Sequence, residues 1–523
     1  MKGELFSFID RTLSERLSGS VNPLICYLSL ASRMGHLCVS LGEKILPDPA
    51  ELLPESEGGA ELERLIRRGA EELPGELLSL HPSSEGSEGL ICKWKENYYF
   101  ERYWRCESKC LEQLSRLQKE PPSLKIDPER ALSRLLNRGE LTEEQAEAIR
   151  TVCRESLSII SGGPGTGKSY TAGKLIEVLS ASLGESCEIV IAAPTGKAAA
   201  NLQRYLGAGS FQATTLHKLL AIAPFKKKRA PLFADLVLVD ESSMIDVELM
   251  AELLSSVRSG SRLLLLGDHR QLPPVEAGSL FADMIPFCKG ASELHRCLRA
   301  ESSSLVEFAQ MIDRGEADRL LSFIESRRPV LQRSPLDREK LLERVLCSSP
   351  FFHEGQPEEL LEQLGELILL TPLREGPFGA DSLNRALYER HSALGRERLV
   401  SPILITKNDP RLGLFNGDLG VLVRERRGSY FLFPHKEKPL AAPLISRYEL
   451  AYCMTVHKSQ GSEFNKVLFV LPKGSEAFGK ELFYTAATRA KREFFLMGEE
   501  SLLLQVASKK SARHSGFKGA PLV

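Results

Sequence analysis

The stretch Leu157-Ser158-Ile159-Ile160-Ser161-Gly162-Gly163-Pro164-Gly165-Thr166-Gly167-Lys168-Ser169-Tyr170 decides the fold class. Its first four residues form an apolar run of strand length, and from Gly162 the spacing is G-x-x-x-x-G-K-S leading into a helical pattern. Strand, glycine loop and helix in that order make a phosphate cradle. Glycines let consecutive backbone N–H groups turn onto an anion where side chains would block the approach. The Lys168 ammonium adds charge on the phosphates, and the Ser169 hydroxyl is a magnesium ligand. Gly162, Gly163, Pro164, Gly165, Thr166, Gly167, Lys168 and Ser169, with Tyr170 beside them, are the expected nucleotide contacts, and ATP with Mg2+ the expected ligands.

Downstream, the apolar run Leu236–Val239 ends in Asp240-Glu241. Asp240 at a strand end would share the Mg2+ shell with Ser169, and Glu241 would orient and deprotonate the attacking water. Either motif alone is a common chance match; both in order, each on a strand, are not. Short apolar runs at Leu157–Ile160, Ile189–Ala192, Leu236–Val239 and Leu263–Leu266 alternate with helical segments, which predicts parallel strands covered on both faces. A second set at Leu367–Leu370, Val467–Leu471 and Phe494–Met497 predicts two RecA-like α/β domains in tandem. The expected boundaries are 1–120 for a mainly helical N-terminal domain, 121–335 for the first motor domain and 336–523 for the second. Gly413, Asn416-Gly417, Gly420 and Gly428 punctuate short strands, so a small β-barrel insertion is placed at 400–446.

At 523 residues, 42% hydrophobic and 26% charged, the chain can bury several cores and is not a disordered polymer. Its 68 basic and 69 acidic residues leave a formal charge of -1, so any nucleic-acid contact must come from a local patch and not from a global field. Without a signal-peptide pattern or a membrane-length apolar run, the reading is cytoplasmic with no membrane partner. Eleven scattered cysteines fit a reducing compartment. Cys26, Cys38, Cys92, Cys106 and Cys110 lack the tight spacing of iron–sulfur ligands, and the aromatic patch Tyr98–Trp104 reads as core before it reads as a base-stacking platform.

Gly267-Asp268-His269-Arg270-Gln271-Leu272-Pro273-Pro274 follows a buried run and puts Gln271 at a strand end, where an amide can sense the γ-phosphate. In the second domain Arg374, after Leu367–Leu370, and Arg489, in Tyr484-Thr485-Ala486-Ala487-Thr488-Arg489, are placed to reach across the cleft. A guanidinium suits that task because its planar charge matches phosphate and does not titrate. The bland alternative for either is a surface salt bridge.

These blocks in this order resemble the superfamily-1 helicases. Gln145 in Leu141-Thr142-Glu143-Glu144-Gln145 resembles that superfamily's adenine-contacting glutamine. Pro194-Thr195 in Ala193–Ala199, and Thr215 and His217 in Thr214–Lys218, resemble its single-strand contacts; Thr455, His457 and Lys458 in Thr455–Glu463 resemble its block coupling DNA to ATP. Each threonine could equally be a simple helix cap. Within the superfamily the chain is similar to the RecD family, the alpha subunits of exodeoxyribonuclease V, through Gly35-His36-Leu37-Cys38, Tyr98–Trp104, Asp240–Asp246 and Leu412–Gly420. That resemblance implies 5′-to-3′ translocation on DNA, an SH3-like insertion, and a heterotrimer with beta and gamma subunits in which the N-terminal domain docks on gamma. Nuclease activity would then belong to the beta subunit. The segment 222–233, where relatives insert a strand-separating pin, is short, and its Lys226-Lys227-Lys228-Arg229 run could be a solvated turn. Two other readings stay open: a stand-alone RecD-like helicase, and a structural subunit with a degenerate ATPase.

Overall fold

Every strand of the two largest sheets runs parallel to its neighbours, the arrangement that continuous Leu, Ile and Val runs favour because both faces must be buried. The computed structural model describes residues 5–53, 59–80, 89–183, 187–206, 211–220, 231–297, 303–409, 411–510 and 513–517. Most of the expected pin segment, with its Lys226–Arg229 run, lies outside them.

The first large sheet has six strands in the order Gly290–Leu294, Leu157–Gly162, Arg262–Gly267, Leu236–Val239, Ile189–Ala193 and Ala213–Thr215. The strand feeding the glycine loop, the strand feeding Gln271 and the strand feeding Asp240 are thus neighbours, and their carboxyl ends open on one edge, where ligands bind in such sheets. Separate apolar cores fill its two faces. The second large sheet has five strands, Leu331–Ser334, Ala490–Gly498, Phe464–Leu471, Leu367–Thr371 and Cys453–Thr455. Between Leu367–Thr371 and Cys453–Thr455 the chain detours through a five-stranded antiparallel sheet spanning Arg398–Leu450, with its own core around Phe431 and Phe433.

Two expected boundaries are corrected. The second motor domain begins well before residue 336. Strand Leu331–Ser334 pairs with Phe494–Met497, and Leu305, Phe308 and Ile312 of helix Ser303–Arg314 share a core with Phe469 and Phe483. The apolar face of that helix finds its partners only far along the sequence, so local pattern does not place the boundary. At the other end, Phe517 does not stay with the second domain but is fully buried in the first domain's core. The described residues of the N-terminal domain are mostly helical and add a five-stranded sheet of very short strands, Ile45–Leu46, Cys38–Leu41, Asn97–Phe100, Ile91–Trp94 and Leu78–Ser79. Strands of two to four residues leave too little alternation to detect.

Nor is the N-terminal domain a separate body. Helix Glu101–Lys119 lies on helix Val247–Ser256 of the first motor domain, where Cys110, Leu114 and Leu117 enter the sheet's core and Arg116 donates to the Leu254 and Val257 carbonyls at 3.1 and 2.7 Å. The aromatic patch is core as well: Tyr99 and Trp104 are packed edge to face at 5.2 Å beside Cys38 and Cys92. Cys26 sits in another cluster and Cys110 in a third. Among the described residues no group of three or more His, Cys, Asp or Glu could hold a metal ion, and no helix is long and apolar enough to cross a membrane.

Candidate active site

The loop Gly163–Gly167 turns between strand Leu157–Gly162 and helix Lys168–Leu183, with Gly165 and Gly167 at φ of +76° and +82°, a region closed to most side chains. Lys168 folds back over it, its Nζ donating to the carbonyls of Gly162 at 2.5 Å and Gly163 at 3.1 Å. Helix Glu143–Arg154 buttresses the loop. Thr142 and Gln145 close a capping box at its start, and the Gln145 Nε2 points at the Thr166 carbonyl, 3.5 Å away. Gln145 therefore caps a helix and lines the loop at once. Tyr170 donates its hydroxyl to the Glu140 carbonyl at 2.9 Å.

Ser169 and Asp240 meet although 71 residues separate them: the Ser169 hydroxyl donates to Asp240 Oδ2 at 2.8 Å. A hydroxyl and a carboxylate so juxtaposed are hard oxygen donors of the kind magnesium takes. The other Asp240 oxygen accepts from the Glu241 backbone N–H at 2.8 Å. Glu241 is one of two non-glycine residues with positive φ among the described residues, at +52°. Such a conformation costs on the order of 1 kcal/mol and persists where the surroundings impose it, commonly at functional sites.

Burial raises the carboxyl pKa of both acids. For Asp240 the Ser169 and Glu241 N–H hydrogen bonds and the Lys168 charge oppose the shift; for Glu241 the neighbouring Asp240 adds to it, while Arg489 and Lys168 oppose it. A raised carboxylate is a stronger proton acceptor, as a general base requires. One side chain thus feels a cation from each motor domain. Arg489 itself is buried, held by the carbonyls of Thr485 at 3.1 Å and Ser462 at 3.2 Å. Arg374 is not brought to this cluster: its side chain is 70% exposed and paired with Asp381 at 3.3 Å.

Gln271 is buried and donates to Asp268 Oδ2 at 3.1 Å. That same oxygen accepts from the Tyr484 hydroxyl of the second domain, also at 3.1 Å, and Tyr484 stands over Gly163 of the phosphate loop. Beside it the Leu272 N–H donates to Thr485 Oγ1 at 2.8 Å and Gln460 Nε2 to the Leu272 carbonyl at 3.0 Å. Arg270 pairs with Glu293 in its own domain and with Asp313 across the boundary. A cavity of about 160 Å3 lined by Gly163, Thr166, Arg270 and Tyr484 lies between the domains. Asp268, Tyr484 and Thr485 stood inside quoted motifs without a role, because only folding brings residues more than 200 positions apart together.

The loops expected to hold a single strand sit at strand ends too. Thr195 and Thr215 follow adjacent strands and accept from the N–H groups of Ala198 and Lys218 at 3.2 and 3.3 Å. Thr455 does the same for Lys458 at 3.4 Å. Capping and the exposed donors of a helix start coexist here. Pro194 is half-buried and His217 exposed; His457 packs near Phe478, and Lys458 pairs with Glu449 at 2.5 Å. Lys197 and Asn201, on the helix after Thr195, donate to Ser462 Oγ and the Gly461 carbonyl of the second domain. The two sets of loops therefore meet across the boundary.

Comparison with known proteins agrees with this arrangement. Residues 140–333 match the AAA domain family and 450–497 the UvrD-like helicase C-terminal domain. The RecBCD enzyme subunit RecD of Mycolicibacterium smegmatis is 32% identical over 97% of this chain and 94% of its own length. That of Mycobacterium tuberculosis is 31% identical over 80% and 79%. The ATP-dependent RecD2 DNA helicase of Deinococcus radiodurans is 34% identical over 72% of this chain and 52% of its own. Likeness running almost from end to end, over the N-terminal domain as well as both motor domains, means that the chain belongs to the RecD family.

Proposed function

We propose that this chain is an ATP-dependent DNA helicase, the motor subunit of a helicase–nuclease complex that processes double-strand breaks for recombination. The observation that carries the reading is the boundary at the phosphate loop, where the Tyr484 hydroxyl of the second domain bonds Asp268 of the first beside Gly163. A triphosphate bound there has ligands on both sides of a boundary, so its cleavage must alter how the domains fit. Lys168 and the glycine-loop N–H groups bind the phosphates, Glu241 takes the proton of the attacking water, and Arg489 stabilises charge on the transferred group. Ser169 and Asp240 would hold magnesium, which when bound neutralises the phosphate oxygens. Gln271, hydrogen-bonded to the Asp268 that Tyr484 also grips, would report loss of the γ-phosphate to the second domain.

Pro194, Thr195, Thr215, His217, Thr455, His457 and Lys458 would contact the strand through phosphates, without reading bases, as a motor crossing every sequence must. Arg374 would join them or the phosphates only after a rotation that frees it from Asp381. The sheet inserted at Arg398–Leu450 would be an SH3-like barrel, and translocation would run 5′ to 3′. Beta and gamma subunits of exodeoxyribonuclease V are the partners, in a reducing cytoplasm that suits eleven free cysteines.

Two assays test this. Lys168→Gln should abolish single-strand-stimulated ATP hydrolysis and unwinding yet leave the chain folded and able to assemble; normal stimulated hydrolysis in that variant refutes the site. Unwinding of duplexes carrying a 5′ or a 3′ tail tests direction, and preference for the 3′ tail would overturn the polarity.

A further inference from the structure

The turn Gly35-His36-Leu37-Cys38 has no part in the ATP site, yet all four residues are buried. Its partner is the far end of the chain. The Leu37 N–H donates to the His514 carbonyl at 2.9 Å, and the His514 N–H donates back to His36 Nδ1 at 2.9 Å. Gly35, at φ +91°, is where the Arg513 guanidinium packs; a Cβ there would overlap it. Arg513 Nη1 in turn donates to the Glu276 carbonyl at 2.7 Å, four residues beyond Leu272 of the Gln271 loop. The Gly278 N–H of the same loop donates to the Gly35 carbonyl at 2.9 Å.

The rest of the tail anchors this contact. Ser515 donates to Asp283 at 2.7 Å, Gly516 N–H to Glu107 Oε2 at 3.2 Å, and Phe517 is fully buried against Phe287, 5.6 Å between rings. Upstream, Lys509 is tied to the second motor domain, its carbonyl accepting from Lys480 N–H at 2.7 Å and its Nζ donating to the Glu476 carbonyl at 2.9 Å. The links from Lys509 to Arg513 span about 14 Å at full extension, so the strap limits how far the motor domains can part. Arg513 also lies close enough to His457 for its charge to add to burial in lowering that imidazole's pKa.

We propose that Arg513–Phe517 is a clasp joining the N-terminal domain to the Gln271 loop and the second motor domain, with Arg513 as its positioning residue. Nucleotide-driven motion of the loop is thereby passed to the turn Gly35–Cys38 and through it to the N-terminal domain. The clasp rests on the proposed reading that this loop responds to the γ-phosphate.

Hydrogen exchange on the full chain, with and without a non-hydrolysable ATP analogue, tests it at residues 275–278 and 35–38 separately. In the unmodified protein both segments should change by about threefold or more. In Arg513→Ala, and in Arg513→Gln should the first fold poorly, residues 275–278 should still respond and residues 35–38 should not. DNA-saturated ATP turnover should fall by about threefold with KM for ATP little changed. A silent loop in the unmodified protein overturns the sensor reading and the clasp together. A responsive loop with a silent turn overturns the clasp alone, and a turn that still responds in the Arg513 variants overturns the role of Arg513.

Discussion

Asp268 Oδ2 accepts two hydrogen bonds, one from Gln271 of its own domain and one from Tyr484 of the other, and all three side chains are buried. Removing one donor from a buried carboxylate costs on the order of 1–3 kcal/mol, because no water replaces it. Tyr484→Phe keeps the ring and deletes only the hydroxyl, the atom that faces both Asp268 and Gly163. It should lower single-strand-stimulated ATP turnover by about tenfold while nucleotide affinity changes little, measured by steady-state hydrolysis beside equilibrium binding of a nucleotide analogue. A variant that weakens binding as much as turnover would place Tyr484 as a phosphate-loop prop and not as part of the transmission. Glu241 teaches the same lesson differently. Its identity is legible from Asp240-Glu241 at a strand end, but its positive φ and raised pKa come from neighbours that only the fold assembles.

Among the elements, the tail Arg513–Phe517 depends on two titratable groups of the N-terminal domain. Glu107 faces Tyr99, the Gly516 N–H, Asp283 and Cys38, and burial pushes its carboxyl up to about 8. The folded state thus holds a proton that the unfolded state releases near pH 4.5, so the contribution of Glu107 to stability declines as pH rises from about 4.5 to about 8. His36 has the opposite sign. Burial, with the charges of His514 and Arg513, lowers its imidazole to about 4, so stability is lost as pH falls from 6.5 toward 4. The two trends offset each other between about pH 4.5 and 6.5, so exchange protection of the Leu37 and Gly516 amides should weaken as pH rises from about 6.5 to about 8, and Glu107→Gln should remove that alkaline loss. Equal alkaline loss in that variant would show that another group governs it.

At the scale of the whole molecule, a ligand held from both sides must stabilise both domains. An ATP analogue at about a hundred times its Kd should raise folding stability by about 2.7 kcal/mol. In the unmodified chain that gain should extend to the second motor domain. Arg489→Lys keeps a charge but loses the fork that bonds Thr485 and Ser462, and it should confine the gain to the first domain and cut turnover by about a hundredfold. Hydrogen exchange resolved by domain and steady-state hydrolysis would check the two halves of that statement. Protection of Phe464–Leu471 by analogue in Arg489→Lys, equal to that in the unmodified chain, would argue against the shared site.

The sequence by itself determined the two parallel sheets, the phosphate loop, the pairing of Ser169 with Asp240 and the position of the inserted antiparallel sheet. In each case the information is local: a continuous apolar run closed by glycine or an acid specifies a buried strand and what stands at its end. Tertiary structure alone decided that residues 303–334 belong to the second motor domain, that helix Glu101–Lys119 shares a core with the first, and that Phe517 returns to it. It alone joined Tyr484 to Asp268 and Arg513 to Gly35, and left Arg374 on the surface with Asp381. Those outcomes depend on which apolar faces and buried polar groups find one another across hundreds of residues, and burial is a property of the assembled surfaces that no single segment carries.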